Sequence, residues 1–253
     1  MNPKHAGMVV NVVDSCIRTV FAQDPLYISP QDTHPSENLS LLDQAVAKPN
    51  ISAIGSAPYV EPSPAHARLN IDHILSLALS RNLHVDFHLD YTLDATAEPL
   101  IYYVIERLRE LEWTRRMPGK RVTIGHASRL ALCTPSELRA LHDAIDGHGH
   151  EDALPITLVS LPQTDMYMLG RTPPPAPLAL RPRGTLFVPE LVRAYSLDVA
   201  MSVNNVGNAF TPQGPLDPLS LCTFGVAVFQ AGTRDDCRVL LVSEGLSVGV
   251  LLM

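Results

Sequence analysis

The sequence predicts an α/β fold, a parallel β-sheet covered by helices. Three observations carry that expectation. Short apolar runs alternate with longer amphipathic runs along 253 residues. Hydrophobic residues make up 46% of the chain and charged residues 18%, which is enough for a sizeable core. Proline, 22 residues in all, concentrates between the runs.

The short runs read as strands. In order they are Thr19-Val20-Phe21-Ala22, Ile51 to Ala57, His84 to Asp90, Arg121 to His126, Ile156 to Leu161 and Leu197 to Val203. Their length and β-branched content suit buried strands. The segments between them suit helices. Asn38 to Lys48 carries Leu39, Leu42 and Ala45 at helical spacing, with Ser36 as N-cap. Ala65 to Asn82 repeats Leu69, Ile71, Ile74, Leu75, Ala78 and Leu79, and Glu98 to Leu111 repeats Leu100, Ile101, Val104, Ile105 and Leu108. Thr134-Pro135-Ser136-Glu137 has the form of a capping box. Thr185 to Tyr195 and Pro215 to Ala231 complete the set. Six such alternations specify a parallel sheet. Pro58 to Pro64 and Thr172 to Pro177 read as extended surface loops.

Charge and cysteine usage exclude several classes. A formal net charge of −7 gives no support to nucleic-acid binding, and the basic pairs Arg115-Arg116 and Lys120-Arg121 are too short to line a groove. Cys16, Cys133, Cys222 and Cys237 form no C-x-x-C pair, so a disulfide framework or a zinc cage is not indicated. No apolar run reaches the ~20 residues of a membrane span. The expected location is cytoplasmic.

The most informative segment is His84-Val85-Asp86-Phe87-His88-Leu89-Asp90-Tyr91. Alternation puts His84, Asp86, His88 and Asp90 on one face and Val85, Phe87 and Leu89 on the other. Titratable groups in a row on a central strand are costly to desolvate unless paired, solvated or bound to metal. Three further strand ends are polar: His126, the stretch from Ser160 to Asp165, and Asn204-Asn205-Val206-Gly207-Asn208.

In their order these segments resemble the amidohydrolase superfamily, in particular its cytosine-deaminase-like branch with fungal-type relatives. Phe87-His88-Leu89-Asp90-Tyr91 is similar to the fifth-strand motif and Thr123-Ile124-Gly125-His126 to the sixth. Val159 to Arg171 is similar to the loop after the seventh strand, and Val203 to Phe210 with Leu216 to Leu219 to the eighth-strand motif and its helix. The resemblance implies an incomplete TIM-type (β/α)8 barrel of about six βα units, the first two missing, with residues 1–253 forming one domain. It also implies a divalent metal, zinc or iron, that activates water against a non-peptide C–N bond. By resemblance, His88 ligates metal, and His126 ligates metal or polarises substrate. Asp90, Asp165 and Asn205 contact a small polar heterocycle or cyclic amide.

Three positions depart from the family pattern. No H-x-H motif precedes His84: His5, His34, His66 and His73 stand singly, and His148-Gly149-His150 falls in a Gly-rich loop. Tyr91 stands where the pattern has a proton-shuttling Glu, and Asn204 where it has a catalytic Asp. A phenol is a poor base at neutral pH, and an amide takes no proton from water. Three readings stay open: an impaired hydrolase, a ligand-binding pseudoenzyme, or a truncated chain without independent function. If two units are missing, strand edges near Phe21 and Met201 are open and invite pairing with another copy, as a homo-oligomer.

Overall fold

The computed structural model describes residues 8–12, 18–27, 36–147, 152–171, 182–215 and 217–241. The strands are β1 (Met8–Val12), β2 (Arg18–Ala22), β3 (Ala53–Ser56), β4 (His84–Leu89), β5 (Val122–His126), β6 (Ile156–Ser160) and β7 (Val199–Met201). They form one open sheet in chain order. From β2 to β7 every neighbouring pair is parallel. Helices α1 (Glu37–Val46), α2 (Pro64–Arg81), α3 (Ile101–Glu110), α5 (Pro135–Asp146), α7 (Val188–Tyr195) and α8 (Pro218–Val228) alternate with the strands, as a partial TIM-type barrel requires. Two short helices, α4 (Trp113–Arg116) and α6 (Pro162–Met168), are added.

The alternation in β4 sets the two faces of the sheet. Val85, Phe87 and Leu89 are fully buried and join the main apolar core, with Ile71, Ile74 and Leu75 of α2 and Ile101, Val104 and Leu108 of α3. Asp86 and His88 lie on the other, concave face. There the register aligns Phe21, Gly55, Asp86, Thr123 and Thr157 in one layer. His88, Gly125, Val159 and Ala200 form the next layer towards the carboxyl ends of the strands.

Local chemistry starts the helices where the sequence predicts. The Ser36 hydroxyl accepts from the Asn38 amide and opens α1. Thr134 and Glu137 form the full capping box of α5. Asn82 takes a left-handed conformation (φ 55°) to end α2.

Several expectations are corrected. Pro58 to Pro64 is not an extended loop: Pro58–Val60 is a 3-10 turn, and Pro64 is the first residue of α2, where a missing N–H costs nothing. The loop expected after Ser160 contains α6. The helix expected from Thr185 starts at Val188, because the Thr185 hydroxyl is tied to Asp165 and Ser160. Residues 234–241 are also helical. The edge near Phe21 is not open. β1 pairs with β2 in an antiparallel ladder from Met8 opposite Ala22 to Val12 opposite Arg18, and Phe21 is 6% exposed. Among the described residues β7 pairs on one side only. Thr172 to Pro177, His148 and His150 lie outside the described residues. No described helix is long and apolar enough to cross a membrane.

Candidate functional site

The carboxyl ends of β4 and β5 build a packed cluster of aromatic and ionisable side chains. His88 continues the concave face of β4. Its imidazole passes over Gly125 of the neighbouring strand, where a Cβ would stand 2.8 Å from His88 Cδ2. A glycine is therefore required opposite it. Gly55 meets the same need in the layer below, since a Cβ there would meet the Asp86 carbonyl oxygen at 2.3 Å.

His126 reaches the cluster by a different route. Strand alternation would send it to the helix side with Val122 and Ile124. Instead, His126 and Ala127 adopt left-handed backbone, φ 65° and 45°. The turn is stitched to β4 by the Ala127 amide on the Leu89 carbonyl, 3.1 Å, and the Arg129 amide on the Asp90 carbonyl, 3.0 Å. Asp90 is itself left-handed, φ 54°. Three such non-glycine residues at two adjacent strand ends cost on the order of 1 kcal/mol each and mark a place where geometry is imposed.

The turn swings the His126 ring to 5.0 Å from that of His88, nearly perpendicular to it at 89°. His126 Nδ1 is 2.7 Å from Asp165 Oδ1. The other carboxylate oxygen accepts from the Thr185 hydroxyl, 2.6 Å, which lies 2.9 Å from the Ser160 hydroxyl. An acceptor carboxylate fixes Nδ1 as the donor, so Nε2 is left as an acceptor. That atom is buried without a hydrogen-bond partner among the described residues, although His126 is only 1% exposed. An orphaned, oriented imidazole nitrogen is the kind of group a polar ligand would satisfy.

Below it, Asp86 accepts from the Thr123 hydroxyl at 2.9 Å and stands 3.9 Å from His88 Nε2. Burial pushes the Asp86 carboxyl up to about 6, against the pull of Thr123 and His126. Burial, with His126 nearby, holds His88 well below the ordinary imidazole value. The His88 ring packs 4.8 Å from the Phe21 ring. Above it, Tyr91 stacks on His126 at 3.9 Å and 26°, and Tyr59 meets Tyr91 edge-on at 5.3 Å. Burial, with Asp165 nearby, raises the Tyr91 phenol far above its usual range.

The structure therefore brings His88, His126, Asp165 and Tyr91 together. Asp90 is adjacent but engaged. Its two oxygens accept from the Leu100 amide at 2.7 Å and the Ile101 amide at 3.1 Å, holding the start of α3. Burial raises its carboxyl to about 6 against those two bonds. Asn204 and Asn205 sit half-buried in the loop after β7, and the Asn205 side-chain oxygen Oδ1 accepts from the Asn208 side-chain amide at 2.9 Å. No hydrogen bond among the described residues joins either asparagine to the histidines. Sequence reasoning missed Tyr59 and Thr185. Tyr59 depends on the unforeseen 3-10 turn. The Tyr91-to-Asp165 spacing carries no signal for Thr185, which arrives from the far side of α6.

The donors among the described residues do not make a metal site. Among the described residues no three His, Cys, Asp or Glu side chains converge as ligands. Of the histidine pair, His126 has one nitrogen committed to Asp165. Catalytic zinc ordinarily takes three protein ligands.

No protein-family model matches the chain, and no curated protein matches it. Solved structures do. The chain is similar to 5-methylcytosine deaminase from Klebsiella pneumoniae liganded with 5-fluorocytosine, with a TM-score of 0.70 at 18% identity over 91% of this chain and 52% of that one. It is also similar to N-isopropylammelide isopropylaminohydrolase from Burkholderia multivorans, with a TM-score of 0.59 at 18% identity over 88% and 50% of the two chains. A third is an adenosine deaminase from Xanthomonas campestris with bound zinc, with a TM-score of 0.50 at 19% identity over 91% and 47%. These likenesses show the fold. The chain spans about half the length of each of these proteins.

Proposed function

We propose that this chain is an amidohydrolase-type protein of the cytosine-deaminase-like branch, and that the side-chain cluster at the ends of β4 and β5 binds a small polar heterocycle or cyclic amide. The observation that carries the reading is His126: its Nδ1 is held by Asp165, and its buried Nε2 has no partner among the described residues. A neutral imidazole so held accepts a hydrogen bond from a ring N–H or an exocyclic amine. Protonated, it would donate to a ring carbonyl, with Asp165 compensating the charge. Asp165 and Thr185 act as positioning residues, fixing which imidazole nitrogen faces the ligand.

Chemistry on the bound ring is weak in this reading. Hydrolysis of a C–N bond needs a base for water and an acid for the leaving nitrogen. Tyr91 stands at the family's carboxylate position, and its phenol is shifted further from neutral pH by burial. Asn204 offers no proton acceptor. A divalent metal, zinc or iron, would need donors beyond His88 and His126, so no step is assigned to one.

The test is a calorimetric titration of the purified chain with cytosine and with a cyclic amide, beside an assay for ammonia release. Binding weakened by His126→Ala, with slow turnover or none, is the expected result. No binding, or binding indifferent to both His88→Ala and His126→Ala, overturns the reading. Turnover by the wild type at ordinary enzymatic rates would overturn the impairment.

A further inference from the structure

The ring stacked on His126 belongs to the protein itself. Tyr91 lies parallel to the imidazole, within 26°, with the Tyr59 ring edge-on against it. That is how an enclosed planar heterocycle would be held: one face on an aromatic ring and an edge of another ring against it. On its other side Tyr91 lines a cavity of about 390 Å³, walled by Pro58, Tyr59, Glu61, Arg68, Thr92 and Leu100 among others. Neither histidine lines that cavity. Tyr91 thus stands between the cavity and the histidine pair.

Resting on the reading above, we propose that the place Tyr91 occupies against His126 is a binding slot for a planar six-membered heterocycle, and that Tyr91 is its internal occupant. A ligand reaches the slot from the cavity by displacing the phenol ring.

A tyrosine fixed only for packing usually finds a partner for its hydroxyl. Here the Tyr91 hydroxyl is buried and has none among the described residues. Removing the ring from this position therefore breaks no hydrogen bond among them. The backbone also permits the exchange. Tyr91 follows the last residue of β4 by two positions and lies outside the ladder. Asp90, clamped by the α3 amides, anchors the chain just before it, so the ring can leave by side-chain rotation while β4 stays paired.

The test uses the full chain, with Tyr91→Ala, Tyr91→Phe and Tyr91→Ala/His126→Ala, each checked for a cooperative thermal melt. Cytosine and phenol are the probes, titrated by calorimetry. Tyr91→Ala is expected to bind cytosine about tenfold tighter than the wild type. Tyr91→Phe keeps the plug and should stay near the wild type, and the gain should vanish in the double variant. A cooperatively folded Tyr91→Ala chain with wild-type cytosine affinity overturns the proposal. So does one that takes up phenol but not cytosine, which would mark an apolar hole. If Tyr91→Ala melts without cooperativity, NMR of the wild type decides. Tyr91 ring protons, shifted by the His126 ring current, must move when cytosine saturates, and unchanged shifts overturn the slot. Cytosine binding that depends on His126 without any gain in Tyr91→Ala sinks the slot alone. Loss of cytosine binding in every variant sinks both readings.

Discussion

The end of β5 and the end of β7 occupy equivalent places in the barrel, yet they are built differently. At β5 the chain makes two successive left-handed residues, and its histidine is buried against Asp165, Tyr91 and His88. At β7 only three residues pair before the chain enters a loop in which Val206 is 48% and Phe210 54% exposed. Asn205 and Asn208 bond within their own loop. One end is over-determined by packing and hydrogen bonds; the other has few constraints. The difference teaches where function can reside in this chain. Ligand recognition needs atoms held in place, and of these two regions it is the β4–β5 end that holds them.

Glycine substitutions should separate the two ends most sharply. Gly55→Ala would drive a Cβ against a backbone oxygen of β4, a clash no rotamer relieves. A loss of about 3 kcal/mol or more is expected, with the His88 layer displaced. Gly207→Ala, in the loop after β7, meets nothing within 4 Å and carries only the strain of φ 61°. Its cost should stay near ~1 kcal/mol. Urea denaturation of both variants measures the contrast, and equal losses would remove it.

Asp165→Ala comes next. It strips the partner from His126 Nδ1 and from the Thr185 hydroxyl in a fully buried place. About 2 to 3 kcal/mol should be lost, together with heterocycle binding. A variant that binds cytosine as the wild type does would show that His126 is not aimed by Asp165.

How much of this is legible in the sequence follows from what kind of signal each residue carries. The period-two pattern in His84 to Leu89 places Asp86 and His88 on one face, because alternation is fixed by backbone geometry. His126 can be placed beside His88 only by resemblance, since its positive φ breaks that alternation and no propensity of histidine announces it. The strand Met8–Val12 escapes a reading by composition because its apolar run is short and broken by Asn11. Its partner in the ladder, not its composition, makes it a strand. Asp90 shows a further limit. Its φ of 54° takes it out of the strand alternation as well, and both its oxygens serve the Leu100 and Ile101 amides at the start of α3, a pairing that spacing alone does not reveal.

The pH dependence sharpens the contrast further. Asp86 and Asp90 are raised from 3.8 to about 6 in the folded chain. Each keeps its proton when folded at pH values where the unfolded chain has lost it. Their stabilisation is complete below about pH 4 and is lost as pH rises through 6, on the order of 2 to 3 kcal/mol per group. His88 acts with the opposite sign. Its imidazole is depressed well below 6.5 on folding, so stability is lost as pH falls below that value. In Asp86→Asn one carboxyl is removed and the balance moves towards His88. Between pH 4 and 6 its stability should rise with pH relative to the wild type, measured as urea midpoints at several pH values. Parallel profiles would mean Asp86 titrates normally.

The smallest effect is expected at the end of β7, and its smallness is informative. Asn205→Ala removes one side-chain bond to Asn208 in a half-exposed loop. Such a change should shift stability by no more than about 0.5 kcal/mol. Amide exchange of β7 gives the companion measurement. Val199 to Met201 pair with β6 on one side and have no described partner on the other. Their amides should exchange through local opening, faster than those of Val85 to Leu89, which belong to a strand paired on both sides. If β7 exchanges as slowly as β4, something covers that edge in solution. Protection that rises with protein concentration would then identify the cover as a second copy of the chain, and concentration-independent protection would place it within one copy. In either case the weakly built end would be completed by other segments of the protein, and Asn204 would have to be judged with its neighbours in place.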